Sequence, residues 1–109
     1  MEELRNLGVN TEEGLARCLG REDFYLKMVK MGLSGSQFSD LDTKVKNGDL
    51  KGGFEAAHAL KGVLGNLSLT NIYNPVCEIT ELLRAGTEQD YTDLLHQIEE
   101  ERNKLAALF

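Results

Sequence analysis

Proline occurs once in the 109 residues, at Pro75, tryptophan not at all, and cysteine only at Cys18 and Cys77. Valine, isoleucine and threonine never gather into alternating runs, so the period-2 pattern of a half-buried strand is missing and the chain reads as all-α. Two irregularly placed cysteines exclude a disulfide framework or a zinc pattern, and both are expected as small packing residues. The longest apolar run, Leu105 to Phe109, is far short of the roughly 20 residues that span a bilayer. The opening Met1-Glu2-Glu3-Leu4-Arg5 lacks the basic start and apolar core of a secretory signal, so the expected compartment is the cytoplasm. Basic residues are scarce: 12 Lys plus Arg against 18 Asp plus Glu leave a formal charge of −6 and a pI near 4.9. Such a surface repels nucleic acid and anionic lipid, which argues against both as partners. The length leaves room for a single domain, residues 1–109, and none for a second.

What is present is amphipathic helix. Asn10-Thr11-Glu12-Glu13 offers cap residues followed by acids, which predicts a short helix from about Thr11 to Leu19, ended by Gly20. A second segment, Glu22 to Met31, runs into Gly32-Leu33-Ser34-Gly35, a kink or turn. Phe38, Leu41 and Val45 recur at helical spacing before Asn47-Gly48-Asp49 closes the next helix. A fourth spans about Leu50 to Leu67. Leu69-Thr70-Asn71 opens a fifth, with Pro75 near its first turn and Gly86 as its stop signal. The last extends from about Glu88 to Leu108 with Tyr91, Leu94, Leu95, Ile98, Leu105 and Leu108 inward. Short polar joints make successive helices antiparallel, so the expected fold is an up-and-down four-helix bundle with short additional N-terminal helices, the two N-terminal segments lying across one end as a lid.

The helix from Leu50 to Leu67 departs from the pattern. At 100° per residue, Ala56, Leu60, Val63, Leu64 and Leu67 fall on one side, with Ala57 on its flank. The opposite side carries His58, Lys61, Gly62 and Gly65, the i, i+3, i+4, i+7 series, so an imidazole, an ammonium and two residues without side chains share one exposed stripe. Each glycine costs about 0.8 to 1 kcal/mol relative to alanine inside a helix, so the pair forfeits roughly 2 kcal/mol where alanine would be accepted. The missing Cβ atoms let another surface approach beside His58. An exposed imidazole, with an unperturbed pKa near 6.5, is mostly neutral at pH 7 and presents a nucleophilic lone pair. Lys61, one turn away, can neutralise charge on an incoming phosphoryl group, and phosphoryl transfer needs chiefly such positioning and charge stabilisation.

The stretch Ala57-His58-Ala59-Leu60-Lys61-Gly62-Val63-Leu64-Gly65-Asn66-Leu67 resembles the H-x-L-K-G signature of histidine-containing phosphotransfer (Hpt) domains of phosphorelays. Gly8-Val9-Asn10, Gly14-Leu15 and Gly20-Arg21-Glu22-Asp23-Phe24-Tyr25 look like that family's opening helix and the start of its second, and Asn47-Gly48-Asp49 like its turn before the histidine helix. The resemblance implies a four-helix bundle in which His58 is the phosphoacceptor, Lys61 its charge partner, and Gly62 and Gly65 the positions that admit a receiver domain. It also implies partners: a response-regulator receiver domain, a hybrid histidine kinase, or both. The chain departs from the family pattern at Ser68, where glycine is usual, at Thr80, where glutamate is usual, and at Gly32, which replaces an aromatic.

Neither G-x-x-x-x-G-K-[ST] nor a dinucleotide fingerprint occurs, so autonomous kinase activity is not expected. No metal site is expected in the chain, and the Mg²⁺ that phosphoryl transfer uses should come from the partner's acidic pocket. Phe54, one turn before His58 on the same face, is either a packed edge residue or an exposed docking contact. His96 has no comparable company and reads as a solvated or partly packed residue, with Glu99 and Glu100 making at most a weak surface metal site. Two functions from different classes follow: a phosphoryl carrier acting through His58, or an adaptor that docks receiver domains and is never phosphorylated.

Overall fold

A computed structural model describes residues 1–109 and contains seven helices and no strand: α1 (Glu2–Asn6), α2 (Thr11–Arg17), α3 (Glu22–Leu33), α4 (Gln37–Lys46), α5 (Leu50–Asn66), α6 (Thr70–Arg84) and α7 (Thr92–Ala106). None is long and apolar enough to cross a membrane. Local chemistry sets most of their ends. The Asn10 side chain accepts the Glu13 N–H at the start of α2, and Asp49 accepts the Gly52 N–H at 2.9 Å at the start of α5. Both satisfy amide donors that a helix leaves without partners. Gly20, Gly48 and Gly86 adopt positive φ just beyond α2, α4 and α6, the backbone turn that glycine makes without steric cost.

Four rods form the bundle. The first is α3 and α4 together: Ser34 and Ser36 between them keep right-handed helical torsions, so the joint bends the rod without reversing it. Its α4 half lies along the start of α5, with Val45 against Gly53, and its α3 half along the end of α5, with Gly32 against Val63 and Leu67. The buried Tyr25 hydroxyl donates to the Leu67 carbonyl at 2.8 Å. α6 packs on α5, α7 on α6, and α7 returns to the first rod, where Arg102 Nε donates to the Leu33 carbonyl at 2.9 Å. The circuit of neighbours is the expected up-and-down four-helix bundle, and the whole chain extends 42 Å along its longest axis.

The lid is smaller than expected. Glu22–Leu33 belongs to the first rod, because helical torsions through Ser34 and Ser36 carry it onto α5 and α7. Only α1 and α2 cross the end, and the five residues of α1 are too few to display a helical period in the sequence. Leu4 and Val9 are buried there, and the Asn10 N–H donates to the Ser68 carbonyl at 3.0 Å. The final helix starts at Thr92, not Glu88, because Asp90 accepts both the backbone N–H and the hydroxyl of Thr92. Pro75 stands in the second turn of α6, where it lacks the N–H that would bond the Asn71 carbonyl.

One apolar cluster runs from Leu4 to Leu105. Within α5 its centre is Ala57, Leu60 and Leu64, all fully buried, while Ala56 and Val63 are half-buried. Ala57 is therefore central and not on the flank: α5 is wedged between α4 and α6, and the inward direction bisects those two contacts. Cys18 and Cys77 are free and only half-buried, with Cys18 packed against the core. The departures from the family pattern acquire local reasons. Ser68 sits at φ +58°, a region where glycine is at ease, and its hydroxyl donates to Glu13 Oε1 at 3.0 Å, tying α2 to the bundle. Thr80 is fully buried and turns its hydroxyl onto the Val76 carbonyl at 2.6 Å. At Gly32 a Cβ would come 2.7 Å from Leu67 Cδ1, so a larger side chain there requires the Leu67 side chain to move.

Candidate functional site around His58

α5 carries His58 near its middle, exposed to solvent. Neither imidazole nitrogen makes a hydrogen bond within the chain, and the half-exposed Lys61 makes no ion pair, although seven other ion pairs form. Helical side chains lean toward the N-terminus, so the Lys61 stem is directed over the turn that bears His58. His58, Lys61, Gly62 and Gly65 together line an open groove of about 580 Å³ between α2, α5 and α6.

The two glycines of the stripe are not equivalent. A Cβ built on Gly62 would meet nothing within 4 Å, whereas one on Gly65 would lie 3.2 Å from Cε2 of the Tyr73 ring. Gly62 leaves a bare patch of helix backbone open to solvent beside His58. Gly65 is half-buried and accommodates a ring of the same chain. Tyr73 reaches there from α6, and the adjacent Cys77 holds its phenol above the usual tyrosine range.

Residues from other helices complete the groove, and the helical period could not identify them. Arg17 on α2 is steered in by Glu13 Oε1 at 3.0 Å and Asn66 Oδ1 at 3.4 Å. With Lys61 it places two cations along the groove wall, and Glu13 is engaged by Arg17 and Ser68. Phe54 is half-buried and packs against the core. Its ring stacks on the His58 imidazole with centroids 5.7 Å apart and planes 25° apart, and the Arg84 guanidinium stands 5.4 Å from its centroid. Arg84 closes the last turn of α6, and nothing in the spacing of the sequence linked it to His58.

His96 lies elsewhere, on α7, 69% exposed, with Nε2 paired to Glu100 Oε1 at 2.9 Å. No group of three or more His, Cys, Asp and Glu side chains is placed to hold a metal ion. The chain's concentration of unpaired reactive groups is thus at His58: an accessible imidazole, an adjacent ammonium and an unobstructed approach over Gly62. That set suits a nucleophile taking up an anionic group.

Searches against characterised proteins and against solved structures find no match. The model of the Hpt domain family matches residues 33–108, from the last residue of α3 through α7, more than two thirds of the chain and all of the His58 stripe. Hpt domains are helical bundles with a phosphotransfer role in two-component signalling, and by fold and by this match the chain belongs to the Hpt domain family.

Proposed function

We propose that the chain is a phosphoryl carrier of a phosphorelay, that His58 is its phosphoacceptor, and that residues 1–109 act as one domain. In this reading a lone pair of the neutral imidazole attacks the phosphorus of a receiver-domain aspartyl phosphate. The new P–N bond forms as the P–O bond to the aspartate breaks, releasing the carboxylate, and the reverse step delivers the group to a second receiver. The Lys61 ammonium offsets charge on the phosphoryl oxygens in transit. Gly62 admits the partner's surface, and Mg²⁺ is supplied by the partner's acidic pocket. Partners are then a response-regulator receiver domain, a hybrid histidine kinase, or both.

The observation that carries this reading is the combination at His58 of two unengaged ring nitrogens with open space over Gly62. A histidine kept for structure would be bonded or packed on both edges. The test is incubation of the wild-type chain and of His58→Gln with a panel of phosphorylated receiver domains and their kinases. Uptake by wild type alone supports the carrier. Stable binding of a receiver with no uptake by wild type would support the adaptor instead.

A further inference from the structure

We infer that Phe54 is a positioning residue for phosphoryl transfer, holding the His58 imidazole in one orientation by stacking and itself held by Arg84. The inference rests on His58 being the phosphoacceptor and extends that reading to a residue that touches neither the phosphoryl group nor its donor.

An imidazole on a helix surface has two side-chain torsions to fix before its lone pair can point along a defined line. In most sites one ring nitrogen is spent on a hydrogen bond that does this, as His96 spends Nε2 on Glu100. His58 has no such bond, so both nitrogens remain open and orientation must come from the ring faces. Helical side chains lean toward the N-terminus, which lays the His58 ring over the turn that holds Phe54, four residues earlier. The observed 5.7 Å separation and 25° interplanar angle are those of an offset stack.

Phe54 can act as a fixed support because it is itself fixed. It is half-buried and packed against the core, and the Arg84 guanidinium rests 5.4 Å from its centroid, within the range of a cation–π contact. Arg84 also forms an exposed ion pair with Glu81 at 3.5 Å. The chain Glu81, Arg84, Phe54, His58 thus runs from the end of α6 to the reacting ring. When the ring nitrogen bonds phosphorus, the imidazole becomes cationic until its remaining proton departs, and an aromatic face beside it favours that charge. Near-attack geometry is worth large factors in rate, so a loosened ring slows transfer without abolishing it.

The test separates positioning from docking by using two donors. Phosphoramidate is a small donor with no protein surface: the His58 nitrogen forms a P–N bond while the donor's own P–N bond breaks and ammonia leaves with a proton. A phosphorylated receiver domain is the second donor. Phe54→Leu is expected to slow phosphorylation by both by about 3- to 10-fold, the range that a stacked aromatic pair represents, through kcat and not KM. Phe54→Tyr should stay within about twofold of wild type, and Arg84→Gln should fall between. Proton–carbon NMR of the wild type should show the His58 ring shifted by the Phe54 ring current, with Overhauser contacts between the two rings. In Phe54→Leu the shift should vanish.

Slowing with the receiver alone, through KM, would overturn positioning in favour of docking. Unchanged rates with both donors would overturn it as well. Should Phe54→Leu fail to fold, absence of the ring-current shift and Overhauser contacts in the wild type is sufficient to refute the stack. If the wild type takes no phosphoryl group on His58 from either donor, the carrier reading is what fails, and the NMR measurement still reports on the stack.

Discussion

His96 lies on the wet face of α7 with one ring nitrogen committed to Glu100 at 2.9 Å, while His58 lies on the open face of α5 with neither nitrogen bonded, an aromatic ring beneath it and open backbone at Gly62. Both are exposed histidines on amphipathic helices. The difference lies in what the neighbours leave unfinished, since unengaged groups gathered in one groove retain the capacity to act on a partner. The glycines of α5 repeat the contrast. A Cβ on Gly53 would come 2.8 Å from Val45 Cγ2 and 3.5 Å from Leu83 Cδ1, whereas one on Gly62 would meet nothing. Packing accounts for the first glycine; the fold offers no account of the second, and the proposed approach of a partner would supply one.

The largest expected effect breaks the symmetry of the histidines. His58→Gln should abolish phosphoryl uptake and His96→Gln should retain it, both with unchanged helix content and melting temperature by circular dichroism, because exposed polar substitutions move stability little. Equal losses in the two variants would remove the distinction. Next, Gly62→Gln should leave a folded bundle yet slow transfer from a receiver domain while sparing phosphoramidate, since it fills the approach and leaves the imidazole alone. A wild-type rate from the receiver would mean that nothing lands on Gly62.

Gly53→Ala and Gly62→Ala should move stability in opposite directions in urea titrations. The first overpacks a tight contact and should cost about 1 to 3 kcal/mol; the second should gain up to about 1 kcal/mol of helix propensity. Gly65→Ala should fall between them, because its Cβ meets the Tyr73 ring at 3.2 Å and that ring must yield by a few tenths of an ångström.

The smallest effect concerns pH. Burial, with the Cys18 charge beside it, pushes the Tyr25 phenol up to about 12. A raised folded-state pKa favours the protonated form in the native bundle, so Tyr25's contribution is complete below the ordinary tyrosine pKa near 10 and is lost as pH rises from there through about 12. Tyr25→Phe should be less stable at neutral pH, having lost the bond to the Leu67 carbonyl, and should show a shallower decline above pH 10.

Much of this was legible in the sequence because it repeats locally. The span of α5, the stop at Gly86 and the stripe of His58, Lys61, Gly62 and Gly65 follow from helical period and cap chemistry alone. What escaped is either too short to show a period, as with α1, or depends on torsions at a joint, as at Ser34 and Ser36, where the rod bends but continues. Through-space partners escaped as well. Arg17 reaches the groove from α2 and Tyr73 from α6, Arg84 reaches the Phe54 ring from α6, and no spacing along the chain encodes those meetings. Gly65 shows the cost of reading one helix in isolation: in the stripe it is equivalent to Gly62, and in the bundle it faces Tyr73.

The central claim is that His58 carries the phosphoryl group, and the chemistry of the bond tests it most directly. After incubation with a phosphorylated receiver domain, the chain should carry a single phosphoryl group that survives alkali, is lost in acid and maps to His58 by tandem mass spectrometry. An acid-stable label, a label on another residue, or a wild-type chain that remains unlabelled while binding the receiver would contradict it.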